Sequence, residues 1–353
     1  MKIKLAILEK DKNYLNRIVS AFGTKYSDKF EVYSFTEYEA AMQTLNEVKI
    51  DVLVASDVFE IDPERLPGRC SFAHFVDSAD IDMLNNQHTI CKFQKADLIY
   101  KQILSIYSEH AGSITGLKNM DEDCKLIAFG SPSGGVGSST MAAACALYFT
   151  AQGKKTLYLN LENYGSSDAF FSAEGQFDMS DIIFALKSKK ANLSMKLESC
   201  VRQDRRGVYF YSPPKLALDM MELSREELLR LISEIRLTGS YEYVILDTDF
   251  GADKYRLAIY HQAHSLVITG DGSDISNLKI HRAYCALSTL EQNADSPLTN
   301  RLCLIYNKFS NKTGKTIDGI DIKTAGGVPR YEYASTEQII SQLVTTDIFE
   351  KIN

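Results

Sequence analysis

Tryptophan is absent from the 353 residues, and the seven cysteines include no CxxC pair. An odd number of scattered thiols fits reduced packing residues of a cytosolic protein better than a disulfide framework. The six histidines show no HExxH or comparable ligand spacing, so no transition-metal site is expected. Positive charge is in deficit. Lys and Arg number 39 against 46 Asp and Glu, a formal net charge of -7, which works against broad attraction to nucleic acid or anionic lipid. Long apolar runs are missing as well. The stretch from Met1 to Glu9 is too short in apolar residues for a secretory signal, and no later window approaches a membrane span. A cytoplasmic protein without direct membrane insertion is expected.

What remains is an ordinary globular composition, 45% hydrophobic and 24% charged, on a chain long enough for two cores. Residues 112–123 are poor in apolar groups and hold two glycines, Gly112 and Gly116, between well-patterned segments. They are expected to link a domain at 1–111 to another at 124–353.

In the first, strand candidates at Lys4–Leu8, Glu31–Ser34, Val52–Ala55, Ala73–Val76 and Thr89–Lys92 alternate with helical stretches. Thr36 and Glu39 are spaced as a capping box ahead of a helix carrying Ala40, Ala41, Leu45 and Val48. In the second, Leu126–Phe129, Thr156–Asn160, Val208–Tyr211, Tyr243–Leu246, Ser265–Ile268 and Arg301–Tyr306 read as buried strands. One helix there is well marked. Ser224 and Glu227 offer a capping box, Leu223 and Leu228 a hydrophobic staple, and Leu228, Leu231, Ile232 and Ile235 an apolar stripe. Both domains are therefore expected to be doubly wound three-layer α/β units with mainly parallel sheets.

The chemistry concentrates between Leu126 and Thr150, where a buried strand passes through the glycine-rich turn Ser131–Thr140 into an alanine-rich helix, Met141–Thr150. Glycines let backbone amides converge on a phosphate, the helix N-terminus adds its positive dipole end, and Ser139 can offer a hydroxyl to magnesium. Tyr243–Asp247 is an apolar strand ending in an acid, suited to holding a magnesium-bound water beside the phosphates.

These residues and their order resemble the ParA and MinD superfamily of deviant Walker ATPases over roughly 124–353, and a P-loop NTPase fold is implied. The resemblance implies ATP and Mg2+ as ligands and a face-to-face homodimer. The nucleotide would lie on Ser133, Gly134, Gly135, Val136, Gly137, Ser138, Ser139 and Thr140, and Mg2+ on Ser139 and, through water, Asp247. Pro132 stands where the family has its first glycine, Ser133 where it has the lysine that crosses the dimer interface, and Ser138 where it has the lysine that bridges the outer phosphates. Losing one charged donor costs about 1.5–3 kcal/mol of binding, and losing a transition-state clamp about two to three powers of ten in rate. Glu162 occupies the place of the aspartate that positions the attacking water, so it is the one catalytic assignment. Asn307 resembles the adenine-reading asparagine, and Gly327-Val328-Pro329 the loop beside the base. Lys254 and Arg256 follow Asp247 closely enough to be considered as replacement cations, with solvated surface charge as the alternative.

The first hundred residues resemble a response-regulator receiver domain, with Glu9 and Asp11 near its acidic cluster and Lys92-Phe93 near its Lys-Pro step. The phosphoacceptor position falls on Ser56, and Asp57 lies one residue later, on the opposite face of a strand. A pseudo-receiver used for docking is therefore expected. A receiver followed by a ParA/MinD-like domain is the arrangement of the TadZ and CpaE proteins, which resemblance implies a role in placing the Tad (Flp, type IVb) pilus secretion machinery. The partners implied are a second copy of the chain and other Tad components or polar proteins, at a cell pole or a secretion complex at the inner membrane. Two other readings stay open: a cycling ATPase that positions cargo, and a phosphorylated regulator with an ATPase-like output.

Overall fold

The computed structural model describes residues 2–110, 124–188, 192–292 and 297–352. The chain divides into two compact units, Met1–Thr115 with Ser188–Cys200, and Gly116–Lys187 with Val201–Asn353. The expected linker at 112–123 lies outside the described residues.

The first unit runs β1 (Ile3–Leu8), α1 (Lys12–Lys25), β2 (Phe30–Phe35), α2 (Tyr38–Glu47), β3 (Val52–Ser56), β4 (Ser71–Val76), β5 (Met83–Leu84), β6 (Gln87–Cys91) and α3 (Ala96–His110). Its sheet has the order β2-β1-β3-β4-β6-β5, parallel apart from the β5–β6 pair. Alternating side chains feed two cores. Leu5, Ile7, Val52, Val54, Ala73 and Phe75 pack with α1 and α3 on one face, and Ala6, Leu8, Leu53 and Ala55 pack with α2 on the other. Further along the chain, α6 (Leu193–Cys200) belongs to this unit, after α4 (Ser138–Ala151) and α5 (Met179–Ser188) of the second. Its Glu198 carboxylate accepts hydrogen bonds from Tyr100 at 2.7 Å and Lys29 at 2.9 Å, and its buried Lys196 ammonium donates to Ser105 Oγ at 2.7 Å.

The second unit continues with β7 (Lys125–Gly130), then α4, β8 (Thr156–Asn160), α5, β9 (Arg202–Gln203), β10 (Tyr209–Phe210), α7 (Ala217–Met221), α8 (Arg225–Leu237), β11 (Tyr243–Asp247), α9 (Lys254–Gln262), β12 (Ser265–Gly270), α10 (Asp274–Leu290), β13 (Leu302–Phe309), β14 (Lys323–Pro329) and α11 (Thr336–Val344). The sheet order is β14-β13-β12-β7-β11-β8-β10-β9, parallel except at β9. The chain winds outward from β7 to one side first and later to the other, so a crevice opens at the carboxyl ends of β7 and β12, where open α/β sheets take ligands. Alanines at 142, 143, 144 and 146 bury α4 closely against the sheet, which fixes the turn that precedes it.

The expected strands all form, with β5, β9 and β14 in addition. The box at Ser224 is present: Ser224 N–H donates to Glu227 Oε2 at 2.9 Å and Glu227 N–H to Ser224 Oγ at 3.2 Å. The box at Thr36 is not. The chain enters α2 one residue later, with Glu37 as N-cap and no side-chain cap bond, so Glu39 sits too early in the helix to reach back. Ser224→Ala is expected to lower stability by about 1 kcal/mol, and Thr36→Ala by less than about 0.5 kcal/mol, in urea denaturation.

Candidate phosphate-binding site

The turn after β7 is shaped by its own hydroxyls and glycines. Ser131 Oγ donates to the Thr269 carbonyl of β12 at 2.6 Å and accepts from Ser133 N–H at 3.0 Å. Gly135 and Gly137 take φ of 76° and 86°, the left-handed region where a side chain is costly. Gly137 is also the N-cap of α4, which has no side-chain cap bond, so its first-turn amides are not capped by that residue. Val136 is buried and anchors the turn, while Ser139 and Thr140 lie in the first turn of α4. Around this loop, Ser133 Oγ and Ser138 Oγ are buried and have no hydrogen-bond partner among the described residues. Buried hydroxyls are rarely left so unless something else completes them.

Beside the loop, β8 and β11 end in register, Asp247 opposite Asn160. Asp247 is fully buried. Its Oδ2 accepts from Tyr158 Oη at 2.6 Å and Asn160 Nδ2 at 3.1 Å, while Oδ1 has no partner. Burial, then the nearby Glu162 charge, pushes the Asp247 carboxyl up to about 8, with the bond from Tyr158 working the other way. Burial likewise raises Glu162, helped by Asp249. Glu162 accepts from Ser139 Oγ at 3.2 Å and from Asn160 Nδ2 at 3.1 Å. Two carboxylates this close are relieved by a cation, and the hard oxygens of one hydroxyl and of one carboxylate with an unpartnered oxygen fit magnesium. Among the described residues no group of three His, Cys, Asp or Glu is placed to hold a metal; a magnesium completed by phosphate oxygens requires none.

The remaining expected residues fall into place unevenly. The Asn307 carboxamide nitrogen donates to the Val136 carbonyl at 2.8 Å, so this residue is engaged with the loop. Gly327-Val328-Pro329 closes the edge strand β14, with an exposed Pro329 paired to Phe309. Arg256 is held by Asp253 at 3.1 Å and Asp249 at 3.6 Å, and Lys254 is exposed at the start of α9. Tyr158 and Asn160 carry no motif; the signal that could have found them is their shared face on β8 beside the acid ending β11.

In the first unit, Ser56 is buried and Asp57 exposed, while Asp11 caps α1 through Asn13 and Tyr14. The Lys92 ammonium lies 2.8 Å from Asp77 and 3.4 Å from buried Glu9. Phe93, in the place of a proline, is largely exposed.

Residues 1–108 match the family model described as TadZ-like, receiver domain. Over those residues the first unit is similar to a TadZ-like receiver domain. A search of curated proteins finds no match to the chain. Among solved structures, the MinC:MinD complex of Aquifex aeolicus aligns at TM-score 0.51 and 17% identity over 65% of this chain and 93% of that one. MinD of Pyrococcus horikoshii, solved with Mg-ADP, aligns at 0.50 and 14% over 65% and 94%. A ParA family ATPase from Chlorobium tepidum aligns at 0.49 and 20% over 65% and 96%. An alignment of that length exceeds the TadZ-like receiver domain, so the eight-stranded unit that follows it has the MinD P-loop fold.

In the unit that follows the TadZ-like receiver domain, a Cβ at Gly137 would sit 2.5 Å from Asn307 Nδ2. Gly137→Ala is expected to cost about 1–3 kcal/mol and to weaken MgATP binding about tenfold or more, read by thermal unfolding and calorimetry. Magnesium held beside Asp247 would favour its ionised form, so cation binding would expel a proton. MgATP affinity is therefore expected to rise as pH rises toward about 8 and to level off above it, and Asp247→Asn to flatten the profile.

Proposed function

We propose that the chain binds ATP with Mg2+ at Ser133–Thr140, closes into a homodimer, and serves as an assembly and localisation scaffold of a Tad pilus system, with slow or absent hydrolysis. The observation that carries this is a set of buried oxygens without partners among the described residues, Ser133 Oγ and Ser138 Oγ on the glycine loop and Asp247 Oδ1 at the end of the strand beside it. A triphosphate with its cation would complete all three. Loop amides and the helix N-terminus would hold the phosphates, Ser139 and Asp247 would hold the cation, and Asn307 with the segment ending at Pro329 would border the base. The bound cation supplies charge neutralisation at the phosphates.

Slow turnover is supported by the same residues. The loop carries serines at 133 and 138 and no cation of its own, so transition-state charge lacks a clamp, worth about two to three powers of ten in rate. Glu162 is drawn onto Ser139 and Asn160, away from the duty of a free base.

The TadZ-like receiver domain supports the scaffold reading. Ser56 offers no carboxylate for phosphate, and Lys92 is already satisfied by Asp77 and Glu9, so docking is its proposed role. Among the described residues no helix is long and apolar enough to cross a membrane; recruitment to a pole or secretion complex would then run through protein partners. Calorimetry with MgATP is expected to show saturable binding with phosphate release near background, and light scattering to show a mass doubling with ATP. Absence of binding to the purified protein overturns the reading, and steady phosphate release replaces the scaffold with a cycling ATPase.

A further inference from the structure

Near its end, β13 loses register with β14. Tyr306 pairs with Gly327 and Phe309 with Pro329, leaving Asn307 and Lys308 opposite the single residue Val328. This is a bulge, and its second residue takes φ of 59°, a left-handed conformation that glycine would adopt without strain. A lysine kept there needs a reason outside the backbone.

The bulge aims both side chains at the phosphate loop. Asn307 Nδ2 donates to the Val136 carbonyl at 2.8 Å, and the Lys308 ammonium donates to the Gly135 carbonyl at 2.7 Å. The Asn307 oxygen accepts from Lys308 N–H at 3.0 Å, which locks the two donors relative to each other. Two consecutive carbonyls of the loop are thus drawn the same way. Every described peptide is trans, and in a planar trans peptide the N–H points opposite to the C=O. Pinning the oxygens of Gly135 and Val136 therefore turns the N–H groups of Val136 and Gly137 together, away from the β13 donors. Consecutive amides so aligned form an anion-binding nest.

We propose that Lys308, acting with Asn307, is a positioning residue that presets the phosphate loop: its ammonium holds the Gly135 carbonyl so that the loop amides face the anion before any nucleotide arrives. The inference rests on the phosphate-binding reading of the loop. It also gives a loop without its own lysines a way to remain a receptor, because the lost cations are offset by amides that need no reordering on binding.

The test compares the full chain with Lys308→Met, Lys308→Arg and Lys308→Gly, using MgATP calorimetry, hydrogen exchange of the loop peptide in the unliganded protein, and thermal unfolding. Lys308→Met and Lys308→Gly are expected to bind MgATP about tenfold more weakly and to exchange faster at Val136 and Gly137 without nucleotide. Lys308→Arg keeps a donor and is expected to stay within about threefold of the parent. Lys308→Gly relieves the left-handed backbone, so its melting temperature is expected to hold or rise while affinity falls, a split that a purely structural residue would not show. Loop exchange unchanged by Lys308→Met overturns the proposal, whether affinity is retained or falls through direct loss of phosphate contact. If the parent protein binds no MgATP, the nucleotide reading fails separately, and the unliganded exchange still decides whether Lys308 sets the loop.

Discussion

Buried oxygen atoms that no described residue satisfies are the constraint from which the rest of the second unit follows. A hydroxyl or carboxylate out of water without a partner is destabilising, and here Ser133, Ser138 and Asp247 are gathered at the end of β7 and β11. The fold keeps them there. Helix α4 is buried on nearly every side, Ser131 ties the turn to β12, and Asn307 ties it to β13. A site held this firmly from several strands would tolerate its polar atoms if the proposed anion and cation complete them.

Both units share a pattern of charge replaced by hydroxyl. Serine stands at 56 where an acid would take phosphate, and at 133 and 138 where lysines would grip it. In each case the neighbours are engaged elsewhere. Lys92 finds Asp77 and Glu9, and Glu162 finds Ser139 and Asn160. Under the proposed scaffold role, chemistry that moves phosphate would be weakened at both places while the shapes that would hold phosphate or partners remain.

Much of this was legible in the residue order. Strands such as Leu126–Phe129 and Tyr243–Leu246 are buried on both faces and read as unbroken apolar runs. By contrast β9 has two residues and β14 contains Lys323, Gly326 and Gly327, so neither offers a hydrophobic period. Thr36 and Glu39 had the spacing of a cap, but spacing does not say where a chain enters its helix, and Glu37 took the position. The glycine loop announced itself because only glycine serves its backbone. Asn160, Tyr158 and Lys308 did not, because their roles come from strand register and a bulge, which unite residues far apart in sequence.

The central claim is that main-chain amides, with one hydroxyl and one carboxylate for the cation, retain a triphosphate without a lysine in the loop. A structure of the full chain grown with ATP and magnesium tests it most directly. Density for an uncleaved triphosphate, cupped by the amides of Gly134–Thr140 with a cation beside Ser139, is the predicted result. An empty loop whose Ser133 and Ser138 hydroxyls are completed by water alone, at saturating nucleotide, would contradict it.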